Sequence, residues 1–208
     1  MRLSKLFDPL TLTAYIRKRG FERRFRKTGK NFIYDPLSTI ITPELMEVGD
    51  NVFIGEQAHI SGRLTIGNNV MFGPRPIIVG GNHLFAVGGK SVRFLAPLDG
   101  ENIEPVAVED EVWCGASVLL LGGVTLGMGC VIGAGSVVTK SIPPYVIAVG
   151  NPCKPVARIF GDASLVRHLE QLGYEDIART ILRRRTAGLR SMNIRSIKTV
   201  DHSEQYRR

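Results

Sequence analysis

The chain of 208 residues contains no apolar run of about 18 or more residues, so no segment of it qualifies as a membrane-spanning helix. No signal-peptide pattern opens it. Cysteine is scarce and odd in number, three in all, which argues against a framework of paired disulfides. Together these absences predict a reducing, cytoplasmic setting. Aromatic residues make up only 7% of the chain, with a single tryptophan. Histidine is limited to His59, His83, His168 and His202, and no second ligand follows His59 or His83 at metal spacing, so no metal is expected. The Arg183-Arg184-Arg185 run has no interleaved aromatics and no accompanying nucleic-acid motif, so no nucleic-acid partner is expected either.

What the chain does have is a six-residue rhythm. An apolar anchor falls at Val48, Ile54, Ile60, Ile66, Phe72 and Ile78, and the register returns at Val108, Cys114, Leu120, Leu126, Ile132 and Val138. Four residues after an anchor sits a second apolar side chain, as at Val52, Ala58, Leu64, Val70, Val112, Val118, Val124, Cys130 and Ile142. Glycine often follows the anchor directly. A fixed period of six marks a parallel β-helix. Anchor and partner are an even number of residues apart, so both are expected on the inward side of one strand. Glycine and asparagine between them suit corners that need positive φ. Three strands close one coil: residues 48–65 and 66–83 make two, and 108–125 and 126–143 make two more. Residues 84–107 then read as a loop pushed out of an otherwise continuous prism. Strands alone do not fix the hand, and the ordinary crossover rule favours a right-handed turn.

Charge divides the chain. Residues 1–30 carry ten Lys/Arg against two acids, a net +8; residues 31–153 net −6, and residues 154–208 net +6. The first thirty residues mix this charge with Leu3, Leu6, Phe7, Leu10, Tyr15, Ile16, Phe21 and Phe25. Such a basic amphipathic arm suits peripheral contact with an anionic membrane surface, or packing on the first coil or a neighbouring subunit. From Ala163 to Leu189 the spacing of Leu165, Leu169, Leu172, Ile177, Ile181 and Leu182 predicts a helix, with Asp162 as its N-cap and the arginine run as a solvated end. Beyond about Arg190 the chain is expected to be disordered. The organisation expected is an arm and lead-in coil over 1–47, the prism over 48–160, and a helix with a basic tail over 161–208.

The segments Val112-Trp113-Cys114-Gly115-Ala116, Gly133-Ala134-Gly135-Ser136-Val137-Val138-Thr139-Lys140 and Gly150-Asn151-Pro152-Cys153-Lys154-Pro155 occur in this order. Together they resemble the hexapeptide-repeat acyltransferases, most of all the galactoside, maltose and streptogramin acetyltransferases and the related O-antigen and capsule O-acetyltransferases. The resemblance covers residues 48–160. It implies an all-β solenoid, a left-handed parallel β-helix, that assembles as a homotrimer with acetyl-CoA in a groove between subunits. It implies that His83, at the root of the loop, is the general base. Trp113, Ala116, Ala134, Thr139 and Lys140 match positions along the coenzyme groove. Lys154 matches a cation near the nucleotide end, with Arg158 close by, and Asn82 becomes a substrate contact. Ala116 stands where some members carry serine, which removes a hydroxyl contact. The tryptophan-rich insert of the streptogramin enzymes is absent.

The chemistry expected is acetyl transfer to a hydroxyl of a carbohydrate, on a surface polysaccharide or its precursor. An imidazole with a pKa near about 6.5 can take the hydroxyl proton in the transition state. Backbone N–H groups at the coil edge can meet the oxyanion. Cys114 points inward by its register, which disfavours an acyl-cysteine relay. Asp99, Glu101 and Glu104 stay without an assigned role. N-acetylation of an amino sugar and O-acetylation of an antibiotic are the alternatives. The same prism also carries zinc enzymes of the γ-carbonic anhydrase type, but their three-histidine pattern is missing here.

Overall fold

In the computed structural model the six-residue rhythm becomes three walls of short strands. The structure describes residues 13, 16, 20, 22–80, 84–95, 104–190, 192 and 194. The strands are β1 (Lys27–Thr28), β2 (Ile33–Tyr34), β3 (Ile40–Ile41), β4 (Met46–Val48), β5 (Phe53–Ile54), β6 (His59–Ser61), β7 (Leu64–Ile66), β8 (Met71–Phe72) and β9 (Ile77–Val79). After the loop come β10 (Val106–Val108), β11 (Trp113–Cys114), β12 (Leu119–Leu121), β13 (Thr125–Leu126), β14 (Val131–Ile132), β15 (Val137–Val138), β16 (Val146–Val149) and β17 (Lys154–Arg158). The first sheet runs β1-β4-β7-β10-β13, the second β17-β16-β14-β11-β8-β5-β2, and the third β15-β12-β9-β6-β3. Every pairing is parallel except β16 with β17. This is a parallel β-solenoid, consistent with the left-handed helix that the resemblance implies.

The anchors stack into three interior columns. Val48, Ile66, Val108 and Leu126 pair in succession along the first sheet. All twelve anchors are at most 2% exposed, as the period predicts. Burying each such side chain is worth about 1.5–3 kcal/mol, so the stack dominates the stability of the prism. The i+4 residues are buried too, but not for the reason expected. Val52 precedes Phe53–Ile54 and Ala58 precedes His59–Ser61, so each opens the next wall instead of closing its own strand. Anchor and partner therefore flank a corner, and both sides of the corner point inward.

The corners also correct the reading of glycine. The residue with positive φ is the third after the anchor: Asn51, Gln57, Asn69, Arg75, Glu111 and Ser117 among others. The glycine directly after the anchor serves close approach. An ideal Cβ on Gly55 would lie 2.6 Å from the Gly73 carbonyl carbon, and one on Gly73 2.7 Å from the Ala116 nitrogen. Along the corner between the first and second sheets, side chains form a ladder. Asn31 donates to Asn51 at 2.9 Å, Asn51 to Asn69 at 3.0 Å, and Asn69 to Glu111 at 2.6 Å.

The loop boundary moves slightly. Val106 is fully buried and pairs with Leu64, so the prism resumes at Val106 and not after residue 107. At the start of the prism Phe25 lies edge-on to Phe32, with centroids 5.5 Å apart, and Phe32 stacks on Tyr34 at 4.9 Å. Phe25 thus belongs to the first coil. Of the proposed membrane arm over residues 1–30, residues 1–12, 14–15, 17–19 and 21 lie outside the described residues, and so does most of the segment expected to be disordered. No helix among the described residues is long and apolar enough to cross a membrane.

The single C-terminal helix expected from the spacing is two: α1 (Asp162–Gln171) and α2 (Glu175–Gly188). Gly173, at φ 78°, breaks them where an L side chain would be strained. Gly161 caps α1 without a side-chain hydrogen bond, and Asp162 is its first residue. Leu165, Leu169, Ala178 and Ile181 pack with Met128 and Tyr145, while Leu172 and Ile177 stay exposed. The arginine run is not simply solvated. Arg184 makes two bonds to Glu109, at 3.0 and 2.6 Å, and Arg185 is buried.

Candidate active site

The second sheet presents an apolar exterior. Its outward column is Ile33, Phe53, Met71, Trp113, Val131 and Ile147. Trp113 is half exposed and sits between Met71 and Val131. Beyond it the chain turns through the corner that leads to the third sheet. Ala116 stands at that corner, and Ala134 lies directly over Gly115 in the next coil. The three residues form one patch along a prism edge.

The backbone at this edge is exposed in a way that follows from alanine. At the opposite corner the second N–H of each turn finds a side-chain acceptor on the next coil. Lys30 N donates to Asp50 at 2.7 Å, Asp50 N to Asn68 at 2.9 Å, and Asn68 N to Asp110 at 2.7 Å. Ala116 and Ala134 occupy the equivalent places here, and alanine can accept nothing. Their N–H groups have no acceptor among the described residues. Two fixed donors one coil apart therefore face outward beside an indole. Such an edge suits a ligand chain carrying amide carbonyls.

Lys154 opens β17 and pairs with Val149 at the far end of the same sheet, and Arg158 closes that strand beside Val146. Thr139 and Lys140 are elsewhere. They follow β15 on the corner between the third and first sheets, both exposed, with the width of the third sheet separating them from Trp113. One chain does not bring the two groups together. His83 and Asn82 lie outside the described residues. The described ends of the loop do meet: an ideal Cβ on Gly122 would stand 3.3 Å from the Glu104 carbonyl oxygen and 3.4 Å from that of Gly80. Gly80 precedes His83 by three residues, and Glu104 is an exposed acid two residues before β10. Nothing in the spacing singled out Glu104, although the Gly122-Gly123 pair that accommodates it was visible.

The thiols are placed for packing. Cys114 and Cys130 are fully buried, and Cys153 is 5% exposed. Burial pushes the Cys114 and Cys130 thiols well above the ordinary thiol range, with the neighbouring Cys153 adding to the effect on Cys114, and it also raises Cys153. For Cys153 a hydrogen bond with Ser136 works in the opposite direction. Neutral, inward-facing thiols make poor nucleophiles. His59 is exposed on the outside of the third sheet, as its register predicts, and no group of three or more His, Cys, Asp or Glu side chains among the described residues could hold a metal ion.

Comparison with known proteins agrees with this geometry. Residues 105–140 match the family model described as the hexapeptide repeat of succinyl-transferase. A Schizosaccharomyces pombe protein provisionally named an acetyltransferase is 36% identical over 150 residues, which cover 66% of this chain and 69% of that protein. The galactoside O-acetyltransferase of Escherichia coli K12 is 34% identical over 144 residues, 65% of this chain and 64% of that enzyme. Among solved structures, a galactoside acetyltransferase in complex with coenzyme A superposes with a TM-score of 0.60 at 29% identity, covering 69% of this chain and 70% of that one. The chain belongs to the hexapeptide-repeat acyltransferase family. Its relatives there are acetyltransferases.

Proposed function

We propose that the protein is an acetyl-CoA-dependent O-acetyltransferase that moves acetyl to a carbohydrate hydroxyl by direct transfer, with His83 as general base. The observation that carries this reading is the edge at Trp113, where the free N–H groups of Ala116 and Ala134 lie one coil apart. The pantetheine arm of coenzyme A contains two amide groups on a flexible chain, and a fixed pair of donors on an open edge matches it. The coenzyme complex of a galactoside acetyltransferase supports the same assignment. The carbohydrate acceptor is supported by kinship with the galactoside enzyme. Lys154 takes the nucleotide end.

The groove is completed by a neighbouring subunit. Thr139 and Lys140 belong to the corner opposite Trp113, so a homotrimer lets one subunit supply the Trp113 edge and the next supply the Thr139 edge. Asn82 and His83 follow Gly80 at the loop root, where the acceptor hydroxyl enters. An imidazole there takes the hydroxyl proton as the oxygen attacks the thioester carbonyl, and coenzyme A leaves as the thiol. The enzyme works in the reducing cytoplasm, where three free thiols persist.

The test is an acceptor screen with acetyl-CoA, reading free thiol release across sugars and amino sugars, followed by His83→Ala. The expected result is release with a sugar hydroxyl, lost by about a hundredfold or more in the variant while acetyl-CoA binding is kept. Turnover near that of the wild type in His83→Ala removes the base assignment. Release with amino sugars alone moves the reaction to nitrogen.

A further inference from the structure

The loop that leaves the prism after β9 carries the two most exposed large apolar side chains among the described residues, Phe94 at 86% and Phe85 at 69%. Leu84 and Val92 are exposed next to them along the chain. None of the four belongs to a wall of the prism. An ideal Cβ on Gly88 or Gly89 would meet nothing within 4 Å, so the tip of the loop stands clear of the solenoid. Its own turns shape it. Lys90 N donates to the Val87 carbonyl at 3.3 Å, and a single 3-10 turn over Val92–Phe94 is closed by Phe94 N to Ser91 O at 3.1 Å and Leu95 N to Val92 O at 3.2 Å.

Charge is uneven along the loop. Residues 84–95 contain Lys90 and Arg93 and no acid, while the acids Asp99, Glu101 and Glu104 all fall in the returning half. Both cations are exposed, and neither has an ion pair among the described residues. Phenyl rings held in water are unfavourable until something covers them, and an exposed apolar patch of this kind marks a contact site. The interleaving says what covers it. The buried centre of a protein–protein contact is depleted of lysine. An anionic bilayer accepts both kinds of side chain. Rings enter the boundary between headgroups and acyl chains, and cations on long stems reach back to lipid phosphates.

We propose that residues 84–95 are a membrane-docking element, in which Phe85, Val92 and Phe94 enter the headgroup boundary of an anionic bilayer while Lys90 and Arg93 pair with its phosphates. The contact is separate from any made by the N-terminal arm. The loop is rooted at Gly80, three residues before His83, so docking holds the mouth of the transfer groove at the lipid surface. Taken with the O-acetyltransferase reading above, on which this last step rests, it makes a saccharide carried on a lipid the acceptor that meets the groove.

The experiment is sedimentation of the full chain with vesicles of phosphatidylcholine, alone and mixed with phosphatidylglycerol, in the absence of acetyl-CoA. The variants are Phe85→Ser with Phe94→Ser, and Lys90→Gln with Arg93→Gln. All four positions are exposed, so neither double variant opens the core. The aromatic pair is expected to lower partitioning into the mixed vesicles about tenfold or more, as two rings withdrawn from the boundary imply. The cationic pair is expected to lose about tenfold or more on mixed vesicles and little on neutral ones. Partitioning equal to wild type in either double variant overturns the docking element and leaves any lipid contact to the arm. In Phe94→Trp, quenching by bromine-labelled lipid beyond that of the wild-type Trp113 supports insertion, and no added quenching overturns it. Light scattering without lipid forms the control: an unchanged particle mass in the aromatic variant supports a lipid partner, and a lowered mass assigns the rings to a second copy and overturns the proposal. The last step is read by turnover. Loss with a vesicle-borne saccharide but not with the free one in the aromatic variant supports it, and equal loss on both overturns it. Absence of turnover with every saccharide ends the transfer reading and leaves the docking standing.

Discussion

Gly115 lies so close beneath Ala134 that a methyl group on it would stand 2.7 Å from the Ala134 nitrogen and 2.9 Å from its Cα. Backbone atoms at that place cannot swing aside as a flexible side chain could. The contact sets the spacing of the two coils at the Trp113 edge, and so fixes where the Ala134 N–H points. Gly115→Ala is expected to cost about 1–3 kcal/mol through overpacking, which lowers Tm by roughly 2–10 °C in a chain of this size. It should also weaken acetyl-CoA binding. Gly135→Ala is the comparison: the space around Gly135 is open, so only its φ of 71° opposes the substitution. Urea unfolding and coenzyme titration of both variants measure this, and a Gly115→Ala protein as stable and as avid as the wild type refutes it.

The three cysteines should be silent. Cys114 and Cys130 face the interior column, and burial holds their thiols protonated at neutral pH. In the folded protein iodoacetamide is expected to leave all three unmodified over a period in which the unfolded chain reacts fully. Cys114→Ala should keep turnover within about threefold of wild type, at a stability cost of a buried small side chain. Rapid native alkylation of Cys114, or loss of turnover in a folded Cys114→Ala, would restore the acyl-cysteine route.

The fold was legible in the sequence to an unusual depth because the interior is one-dimensional. Each coil repeats the same inward positions, so twelve anchors such as Ile66 and Leu126 announce themselves by spacing alone. Periodicity carries no information on where a strand ends, and Val52 and Ala58 were accordingly assigned to the wrong wall. Nor does it distinguish glycine needed for space, as at Gly73, from asparagine needed for positive φ, as at Asn69. The helical hairpin was read as a single helix because Leu172 and Ile177 keep helical spacing across Gly173. In the sequence Arg185 is indistinguishable from its neighbours Arg183 and Arg184, since its burial depends on Phe160 and Asp162 more than twenty residues away. The Trp113 edge was visible only through resemblance. Its physical basis, two alanines that leave backbone donors free, needs the stacking of separate coils.

His168 couples the hairpin to the prism and should make that contact sensitive to acid. Its ring packs 4.6 Å from Phe160 and 5.5 Å from Tyr145. Burial lowers its pKa below the ordinary 6.5, with the Glu111 charge opposing the shift. The folded state therefore binds the proton less readily than the unfolded chain. Stability from this group is complete above about pH 6.5 and declines as the pH falls through that value toward the lower folded pKa. Between about pH 8 and pH 5 the wild-type Tm should fall further than that of His168→Phe, which keeps the ring contacts without the titration. Parallel curves for the two proteins would assign the acid sensitivity to other groups.

The exteriors of the three walls differ, and the difference predicts how subunits meet. The second sheet shows Ile33, Phe53, Met71 and Trp113 to solvent, and the third shows Ile40 and Ile77. The first shows Lys27, Glu47, Thr65 and Thr125. An isolated prism with two apolar walls exposes a contiguous patch of the kind monomers avoid. A trimer that packs the second and third walls against neighbours leaves the polar wall facing water and brings the Trp113 edge of one subunit to the Thr139 edge of the next. Light scattering of the wild type at micromolar concentration should give three times the 22.9 kDa chain mass. Ile77→Glu puts a charge in the middle of the third wall, away from Trp113, without touching the interior. It is expected to shift the mass toward the monomer and to abolish turnover with it, since each groove then lacks its second edge, while Thr65→Glu on the polar wall changes neither. A monomeric wild-type protein with full turnover would show that one prism holds a complete site.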